Sequence, residues 1–291
     1  MIGRFAPSTT GPAHPGTLLA ALLCWLDARS VGGKCILRLE DLDPDRSRAE
    51  WSTGMERDLA WLGLDFDATV FQSQRASVHE GALDRLERDG RLYPCTCTRS
   101  EWRENATPEP GGGLRYPGTC RARSLPAGGW RRSEEPLRVR LEPGGEYGDP
   151  VVRRRDGAVA YHLAAVVDDA ESGVTRVVRG RDLEATTGLQ NELRDLLGLS
   201  RPEHRHHLLL LEERGEKLAK LHGAVGLPEL RAHYRPGELC GWLARAAGLI
   251  AGPADLRPID LVPDFAWEKV GVVDRIVRWQ PPHLVLVESG A

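Results

Sequence analysis

Three groups of residues in this sequence have types and spacings that suit chemistry. The first is the stretch GRFAPSTTGPAHPGTLLAAL at 3–22, where Gly, Pro, Ser and Thr precede a leucine-rich helix. The first amides of a helix lack internal partners, and small residues let a phosphate approach them closely. His14 adds a side-chain donor. The stretch is typical of a phosphate-binding turn, and a structural loop before a helix is an equally good interpretation of it alone.

The second group is GEKLAKLHG at 215–223. The chain has four lysines against thirty-five arginines, and two of the four, Lys217 and Lys220, lie in this segment. An ammonium group on a flexible stem suits a loop that closes over a polyphosphate, whereas the segment alone favours a solvated turn. The patterns GxGxxG and GxxxxGK[ST] are missing, which argues against dinucleotide and P-loop sites.

The third group comprises Cys95, Cys97 and Cys120, half of the six cysteines in the chain. Their clustering indicates a metal site, whereas Cys24 and Cys35 fall in a predicted helix and strand as small buried hydrophobes. Structural zinc generally takes four ligands. Because no histidine lies between residues 80 and 161, the fourth ligand must be of another type. Reduced cysteines without metal are the alternative.

The elements that must position these residues follow an α/β pattern. The segment KCILRLED predicts a buried strand between two helices, and a third helix over about 75–89 ends at Gly90. The alternation predicts an α/β domain with a parallel sheet. Apolar residues at helical spacing are Leu18, Leu19, Leu22, Leu23 and Leu26, then Trp51, Met55, Leu59 and Leu62, and later Leu189, Leu193, Leu196 and Leu197.

Periodic order breaks between about 91 and 157 and predicts an inserted subdomain. Beyond it, AYHLAAVVDDA, VTRVVRG and HHLLLL are interpreted as strands, and the tail from about 221 as short helical pieces that include ELCGWLARAAGL. The predicted division is therefore 1–90 and 158–223 for the two halves of the main domain, 91–157 for the insert, and 224–291 for a mainly helical C-terminal region.

Composition restricts the class of protein. The 291 residues are 41% hydrophobic and 28% charged, as in ordinary soluble proteins. No apolar run reaches 18 residues, and the N-terminus lacks the pattern of a secretion signal, so we expect a cytoplasmic protein without membrane partners. The net charge of −3 argues against a wholly basic nucleic-acid binder. VVRRRDG at 151–157 and RPEHRHH at 201–207 are candidate local patches, or solvated surface.

Several motifs in order resemble one family. RFAPSTTGPAHPGTLLAAL resembles the first signature of class I aminoacyl-tRNA synthetases, and KLAKL is similar to their second, the KMSKS loop. Between them, LRLEDLDPDR, AYHLAAVVDD and GVTRVVRGRDL resemble the glutamate-specific branch. The likeness runs from residue 3 to about 223 and covers the tail only loosely. It implies a Rossmann-type catalytic domain with an inserted zinc-binding subdomain. It also implies ATP-dependent, tRNA-independent formation of glutamyl-adenylate, then transfer of the glutamyl group to tRNA.

Two features narrow the resemblance to short members of that branch. One is the arrangement CTCTR…RYPGTC, and the other is the end of the chain about 70 residues after KLAKL, which leaves no room for an anticodon-binding domain. In those members the anticodon arm of tRNA(Asp) enters the catalytic cleft, and glutamate is esterified to queuosine. The cluster Arg153–Arg155 is a hypothetical phosphate contact, and we expect a monomer.

The resemblance also implies roles for the residues of the two signatures. His14, Gly16, Lys217 and Lys220 would be the catalytic set, and His14, Gly16, Thr17 and Lys220 would bind ATP, with Mg²⁺ expected. Two positions depart from the family. Thr17 replaces the second histidine of the first signature, and Ala219 replaces the serine of the second.

By the same resemblance, glutamate would be bound by charges of both signs. Arg4 and Arg179 match contacts to its carboxylates, Glu40 would pair with its ammonium group, and Tyr161 would lie at the pocket wall. The segment Arg4, Phe5, Ala6, Pro7 and Ser8 lines the site in relatives. An interior ion pair of Glu40 with Arg38 or Arg46 is the alternative for that carboxylate.

The family also suggests the missing metal ligand. Tyr116 in RYPGTC matches a tyrosine ligand, which gives Cys95, Cys97, Tyr116 and Cys120 as the site of one structural zinc ion per chain. A catalytic zinc is not expected, because no step of the implied reaction needs a metal-bound water.

Three other functions remain open from the sequence. The first is a truncated glutamyl-tRNA synthetase that charges a tRNA 3′ end. The second is another adenylate-forming ligase or nucleotidyltransferase with a small-molecule acceptor. The third is a non-catalytic RNA-binding relative, in which the lysine pair and the set Arg4, Glu40 and Arg179 would have no purpose.

Overall fold

The computed structural model of the protein describes residues 1–110, 113–212 and 225–287. Its strands are β1 Ile2–Phe5, β2 Lys34–Leu39, β3 Ala68–Phe71, β4 Leu92–Pro94, β5 Thr107–Pro108, β6 Leu114–Arg115, β7 Leu137–Val139, β8 Val151–Arg153, β9 Arg176–Gly180, β10 Glu203–His207, β11 Leu210–Leu211, β12 Arg275–Gln280 and β13 His283–Val287. Its α-helices are α1 Pro15–Arg29, α2 Ala49–Leu62, α3 Ala76–Arg88, α4 Arg99–Arg103, α5 Tyr161–Glu171, α6 Thr187–Leu196, α7 Leu227–Leu230, α8 Pro236–Ala247 and α9 Pro258–Leu261.

The chain divides into two compact units. The first comprises Met1–Phe71, Val174–Leu183 and Pro202–Ala291, and the second comprises Gln72–Gly173 and Glu184–Arg201. The predicted boundaries at 90, 157 and 223 stay predictions, and the last of them lies outside the described residues.

The first unit is built on a five-stranded sheet in the order β3-β2-β1-β9-β10. All of its pairings are parallel, which confirms the predicted α/β class. From β1 the order runs outward to β2 and β3 on one side and to β9 and β10 on the other. The connection therefore reverses direction between β1 and β9, and in parallel sheets such a point opens a crevice at the carboxyl ends of the strands.

Helix α1 covers one face of this sheet. Pro15 at its first position has the φ angle that a helix start requires, and the apolar run that follows is buried on nearly all sides. Leu18, Leu22 and Leu26 have no exposed surface. Cys24 and Cys35, which face each other with 3.9 Å between their Sγ atoms, are both buried, as predicted.

The rest of the first unit adds helices and a second sheet. Helix α2 ends at Gly63, whose φ of +89° is a left-handed conformation that favours glycine. Helix α8 buries Leu239, Cys240 and Leu243, so the C-terminal region is helical there, as predicted. The end of the C-terminal region is not helical. There β12 and β13 form an antiparallel pair beside β11, and the sequence analysis missed this pair.

The second unit combines helices α3, α5 and α6 with the small sheet β4-β7-β8 and the two-stranded ladder β5-β6. The strand prediction for AYHLAAVVDDA is wrong, because this segment is helix α5. An apolar run that is buried on most sides shows no helical period, so a buried strand and a buried helix give the same pattern. The prediction of one strand for HHLLLL is right at both ends and wrong in the middle: β10 ends at His207, and Leu210–Leu211 form the separate strand β11, which pairs with β12.

Two buried carboxylates fix helix α5 in this unit. Asp168, with no exposed surface, accepts a hydrogen bond of 2.7 Å from Gln72 Nε2 and lies 2.9 Å from His79 Nε2. Its neighbour Asp169 pairs with the buried Arg194 of α6 at 3.1 Å. Buried charges need such partners because desolvation is costly, so these contacts specify where α5 lies against α3 and α6.

We expect Asp168→Ala to lower the free energy of unfolding by about 3–5 kcal/mol, because it leaves buried polar partners without their carboxylate. Urea denaturation followed by circular dichroism measures the change. Glu171→Ala, at an exposed position of the same helix, is the matched control and should change the free energy by less than about 0.5 kcal/mol. Equal effects of the two substitutions would contradict a special role for Asp168.

Candidate active site and metal site

One face of the parallel sheet in the first unit carries polar residues. In register, Gly3 lies opposite Arg176 and Arg4 opposite Ile36, and side chains alternate between faces along a strand. The same register places the following residues on the face opposite α1: Arg4 on β1, Arg38 on β2 with Glu40 just after it, Arg179 on β9, and His204 and His206 on β10. The sequence predicted Arg4, Glu40 and Arg179, and the fold brings them to one face.

The three arginines of this face are buried, at 5%, 1% and 5% exposure for Arg4, Arg38 and Arg179. Arg4 Nη1 donates to the Val178 carbonyl at 3.2 Å, and Arg179 Nε donates to His206 Nε2 at 3.3 Å. Three guanidinium groups and the Glu40 carboxylate therefore share this face. A guanidinium group can bind a carboxylate with two parallel hydrogen bonds.

Glu40 forms an ion pair with Arg38 at 3.1 Å, whereas Arg46 pairs with Asp43. The interior ion pair that the sequence left open is thus present on the Arg38 side. This pair involves Glu40 Oε1, and a role of Glu40 toward a ligand ammonium group stays a prediction.

The segment after β1 is fixed to the end of β2 by main-chain bonds. Glu40 N donates to Pro7 O at 3.0 Å, and Thr9 N donates to Glu40 O at 3.2 Å. Ser8 is exposed, whereas the Phe5 side chain lies in the core and stacks on Phe66. Phe5 can therefore contribute only main-chain atoms to a site, and Ala6 to Ser8 form the loop at the carboxyl edge of the sheet.

His14 caps the start of α1. Its Nδ1 accepts a hydrogen bond from the Thr17 amide at 3.4 Å, which places the proton of the neutral imidazole on Nε2. A Cβ on Gly16 would lie 3.1 Å from His14 Cε1, so the absence of a side chain at this position leaves room for the imidazole ring. The ring and the first amides of α1 thus lie together at the start of the helix, and their role toward a phosphate stays a prediction.

Two predicted groups cannot be placed beside these residues. Lys217 and Lys220, with Ala219 between them, lie outside the described residues. Tyr161 belongs to the second unit, where it is the first residue of α5 and 39% exposed.

The second unit contains the cysteine site that the sequence predicted. The Sγ atoms of Cys95, Cys97 and Cys120 all lie within 4.8 Å of one another, and those of Cys97 and Cys120 are 3.5 Å apart. Tyr116 Oη lies 3.4 Å from the sulfurs of both Cys95 and Cys97. The three sulfurs therefore lie close enough together to hold a metal ion, and the Tyr116 oxygen lies near two of them.

The ionisation of this cluster is uneven. Burial raises the pKa of Cys120, but hydrogen bonds from the Thr96 amide, the Tyr116 hydroxyl and the Cys97 thiol outweigh it and lower the pKa to about 6. Burial raises the pKa of Cys97, and burial together with the Cys95 thiol raises that of Tyr116. A metal ion would have to displace protons from these groups.

The sequence analysis missed one residue of this cluster, Arg138. Its Nε donates to Cys95 Sγ at 3.3 Å, and its guanidinium lies 3.7 Å from the centre of the Tyr116 ring. Its positive charge favours ionised sulfur and oxygen beside it. Arg138 lies on the short strand β7, and no spacing in the sequence connects it to cysteines that are 18 or more positions away.

The two candidate basic patches are largely neutralised by neighbouring acids. Arg201 pairs with Asp195, Arg205 with Glu203, and Arg154 with Asp156. Arg153 donates to the Ser133 carbonyl at 3.0 Å. None of the described helices combines the length and apolar character that a membrane crossing requires.

The matching family model and the most similar known sequences indicate the same protein family. The family described as tRNA synthetases class I (E and Q), catalytic domain, matches residues 1–142 and 119–231. A glutamyl-Q tRNA(Asp) synthetase of Prochlorococcus marinus (strain MIT 9303) is 41% identical over 281 residues, which cover 95% of this chain and 91% of the relative. The protein of the same name from Deinococcus radiodurans is 42% identical, with 90% and 95% covered.

Solved structures share the fold. A glutamate tRNA ligase from Elizabethkingia meningosepticum, in complex with its amino acid, superimposes with a TM-score of 0.72 at 22% identity and covers 93% of this chain. A glutamate-tRNA synthetase from Elizabethkingia anophelis gives 0.73 at 24% identity. This chain spans 65% and 66% of the lengths of those two chains.

Proposed function

Because this chain belongs to the family of class I tRNA synthetase catalytic domains for E and Q, we propose that it activates L-glutamate with ATP and transfers the glutamyl group to queuosine in the anticodon of tRNA(Asp). The observation that carries the proposal is the 41% identity to a glutamyl-Q tRNA(Asp) synthetase over 91% of that relative's length. The buried arginines of the polar sheet face and the capped start of α1 support the same chemistry.

In the first step, an oxygen of the glutamate α-carboxylate attacks the α-phosphorus of ATP, and pyrophosphate leaves. The protein contributes positioning and charge stabilisation rather than a covalent intermediate. The α1 amides and His14 Nε2–H would donate to phosphate oxygens, and Lys217 and Lys220 would stabilise the leaving pyrophosphate, with Mg²⁺ on the nucleotide. In the second step, a hydroxyl of the queuosine cyclopentene diol attacks the activated carbonyl, and AMP leaves.

Glutamate recognition follows from the charge of the polar face. Arg4 and Arg179 would bind the carboxylates of glutamate. Glu40 would pair with its ammonium group, and Tyr161 would form part of the pocket wall. An arginine opposite the side-chain carboxylate disfavours glutamine, because the neutral amide loses the ion pair and turns its NH₂ donors toward guanidinium donors.

We also propose one structural zinc ion in the cysteine cluster. Zinc binds thiolates at about 2.3 Å in a tetrahedron, whose sulfurs are then about 3.8 Å apart. The 3.5 Å between Cys97 and Cys120 and the nearby Tyr116 Oη fit that geometry. Bound zinc would crosslink the two ends of the segment between Cys95 and Cys120, and Arg138 would offset the excess negative charge of the ligands.

The acceptor would be the anticodon arm, a compact hairpin whose splayed bases proteins contact by stacking and by their edges. We propose a monomer that works in the cytoplasm with this RNA. Arg153–Arg155 stay a hypothetical phosphate contact.

Lys220→Ala should reduce glutamate-dependent ATP–pyrophosphate exchange by at least about 100-fold, the scale of losing one transition-state donor. Lys34→Ala, at an exposed lysine at the start of β2, is the matched control and should retain exchange. Near-normal exchange in the Lys220 variant would refute the assignment of this lysine.

Wild-type protein should carry one zinc ion per chain in native mass spectrometry, and Cys120→Ser should lose it, because one of four ligands is removed. Cys240→Ala, in helix α8 of the first unit, is the control and should retain the metal. Freshly purified wild-type protein without zinc would remove the proposal of a zinc site.

The acceptor is tested with ATP, labelled glutamate and queuosine-containing tRNA(Asp) beside an unmodified transcript of the same sequence. We expect label on the modified tRNA alone. Label on both would favour charging of the 3′ end, and label on neither, with normal pyrophosphate exchange, would favour a small-molecule acceptor. Periodate destroys both the terminal diol and the queuosine diol, so its use requires tRNA with a blocked or removed 3′ end.

A further inference from the structure

Arg138 is a buried arginine that no carboxylate neutralises. It is 8% exposed, and within the described part of the chain it forms no ion pair with an acidic side chain. Desolvation of a guanidinium is costly, so a buried one needs hydrogen-bond acceptors or an anion beside it. Its Nη1 donates to the main-chain carbonyl of Asp149 at 2.6 Å, which is a neutral acceptor. Its Nε donates to Cys95 Sγ at 3.3 Å, and a thiolate there would supply the missing negative charge.

The strand register explains how this guanidinium reaches the cysteine cluster. Strands β4 and β7 are antiparallel, and Tyr93 lies directly opposite Arg138, so their side chains share one face of the small sheet. Cys95 follows Tyr93 by two positions, and its amide donates to the Pro136 carbonyl at 2.9 Å. Alternation therefore returns the Cys95 side chain to the face of Arg138, and the sheet fixes the contact between them.

Two aromatic rings also contact the guanidinium. Its carbon lies 3.7 Å from the centre of the Tyr116 ring and 5.9 Å from that of the Trp102 ring. The two rings contact each other edge to face, with 6.0 Å between their centroids. A cation over an aromatic ring is attracted by its π electrons, and more strongly where water is excluded. Arg138 thus contacts two of the four proposed ligands, Cys95 by a hydrogen bond and Tyr116 by its ring.

We propose that Arg138 is a positioning residue of the metal site, which orients Cys95 and Tyr116 and supplies the positive charge that a zinc ion with three thiolate ligands lacks. This inference rests on the proposed zinc site. Three thiolates outweigh the two positive charges of zinc, so the group carries an excess of at least one negative charge. A buried guanidinium beside the sulfur offsets that excess, which lowers the cost of burying the group.

The other arginine near these ligands is placed differently. Arg123, close to Cys120 in sequence, pairs with Glu135 at 3.0 Å, and its side chain is 40% exposed. Its charge is offset by that carboxylate and screened by water, so it contributes less to a buried group of ligands. Arg138 has neither an acidic partner nor this exposure.

The contact between Arg138 and Cys95 should also have a spectroscopic signature. A hydrogen bond to a ligand sulfur withdraws electron density from it, so its loss makes the thiolate a stronger donor to the metal. Cobalt(II) accepts the same tetrahedral sulfur sites as zinc and absorbs visible light. Its sulfur-to-metal charge-transfer band should therefore move to lower energy when the hydrogen bond is removed.

The test uses the full chain. Arg138→Met removes the donor and the charge, and it should weaken zinc binding about 10–100-fold in competition with a chelating dye, the scale of losing an outer-shell partner. In the cobalt(II)-loaded variant, the charge-transfer band should move to lower energy at unchanged intensity, because all three thiolates remain. Arg85→Met, at a surface pair with Asp89 on helix α3, is the matched control and should bind both metals as wild type does.

The outcomes separate positioning from a merely structural role. Equal zinc affinities of wild type and Arg138→Met would overturn the inference. So would weaker binding that comes with lower helicity in circular dichroism and a band that loses intensity without shifting.

If Arg138→Met does not fold, Arg138→Gln decides, because it keeps a donor for the Asp149 carbonyl and lacks the charge. Wild-type zinc affinity in that variant would overturn the role of Arg138, and affinity about 10–100-fold weaker would support it. A wild-type chain that binds neither zinc nor cobalt(II) would overturn the proposed zinc site itself. Metal binding by wild type with unaffected variants would overturn the role of Arg138 alone.

Discussion

The reversal of strand order between β1 and β9 is the constraint on which the proposed active site depends. Both strands are parallel, so their carboxyl ends lie at the same edge, and the chain leaves β1 to form the loop of Pro7 and Ser8 and then the start of α1. Because β9 follows β1 by some 170 residues in sequence but pairs with it in space, Arg4 and Arg179 reach one face. No local motif could assemble these charges, and only the sheet brings them together.

The arginines of that face are consistent with the proposed acidic substrate. A buried guanidinium needs hydrogen-bond or charged partners, because its desolvation is costly. Arg38 pairs with Glu40, Arg4 donates to the Val178 carbonyl, and Arg179 donates to His206. In the proposed complex, a dicarboxylic amino acid with a net charge of −1 would be attracted to these guanidinium groups more strongly than a neutral amino acid.

How much could be predicted from sequence depended on whether the signal was local. The cap at His14, the helix after it and the cysteine cluster each lie in short segments, and their residues were identified correctly as neighbours. The failures have other causes. Helix α5 was taken for a strand because its apolar run is buried on most sides. The hairpin of β12 and β13 was missed because its two-residue loop, Pro281 and Pro282, lacks the Gly or Asn residues that usually signal a hairpin. His206 and Arg138 carry no sequence signal, since register and tertiary packing alone bring them to Arg179 and Cys95.

The start of α1 shows why a departure from a family motif can be tolerated. The second histidine of the first signature is replaced by Thr17, which removes an imidazole from the turn. Yet the contact that orients His14 uses the main-chain amide of residue 17, and a main-chain amide is present whichever side chain stands there. Gly16 is more constrained, because a Cβ there would lie 3.1 Å from the His14 ring and would push the ring aside by a few tenths of an ångström. The cap therefore uses the side chain at 14 and the backbone at 17, and a small residue at 16 leaves the ring undisturbed.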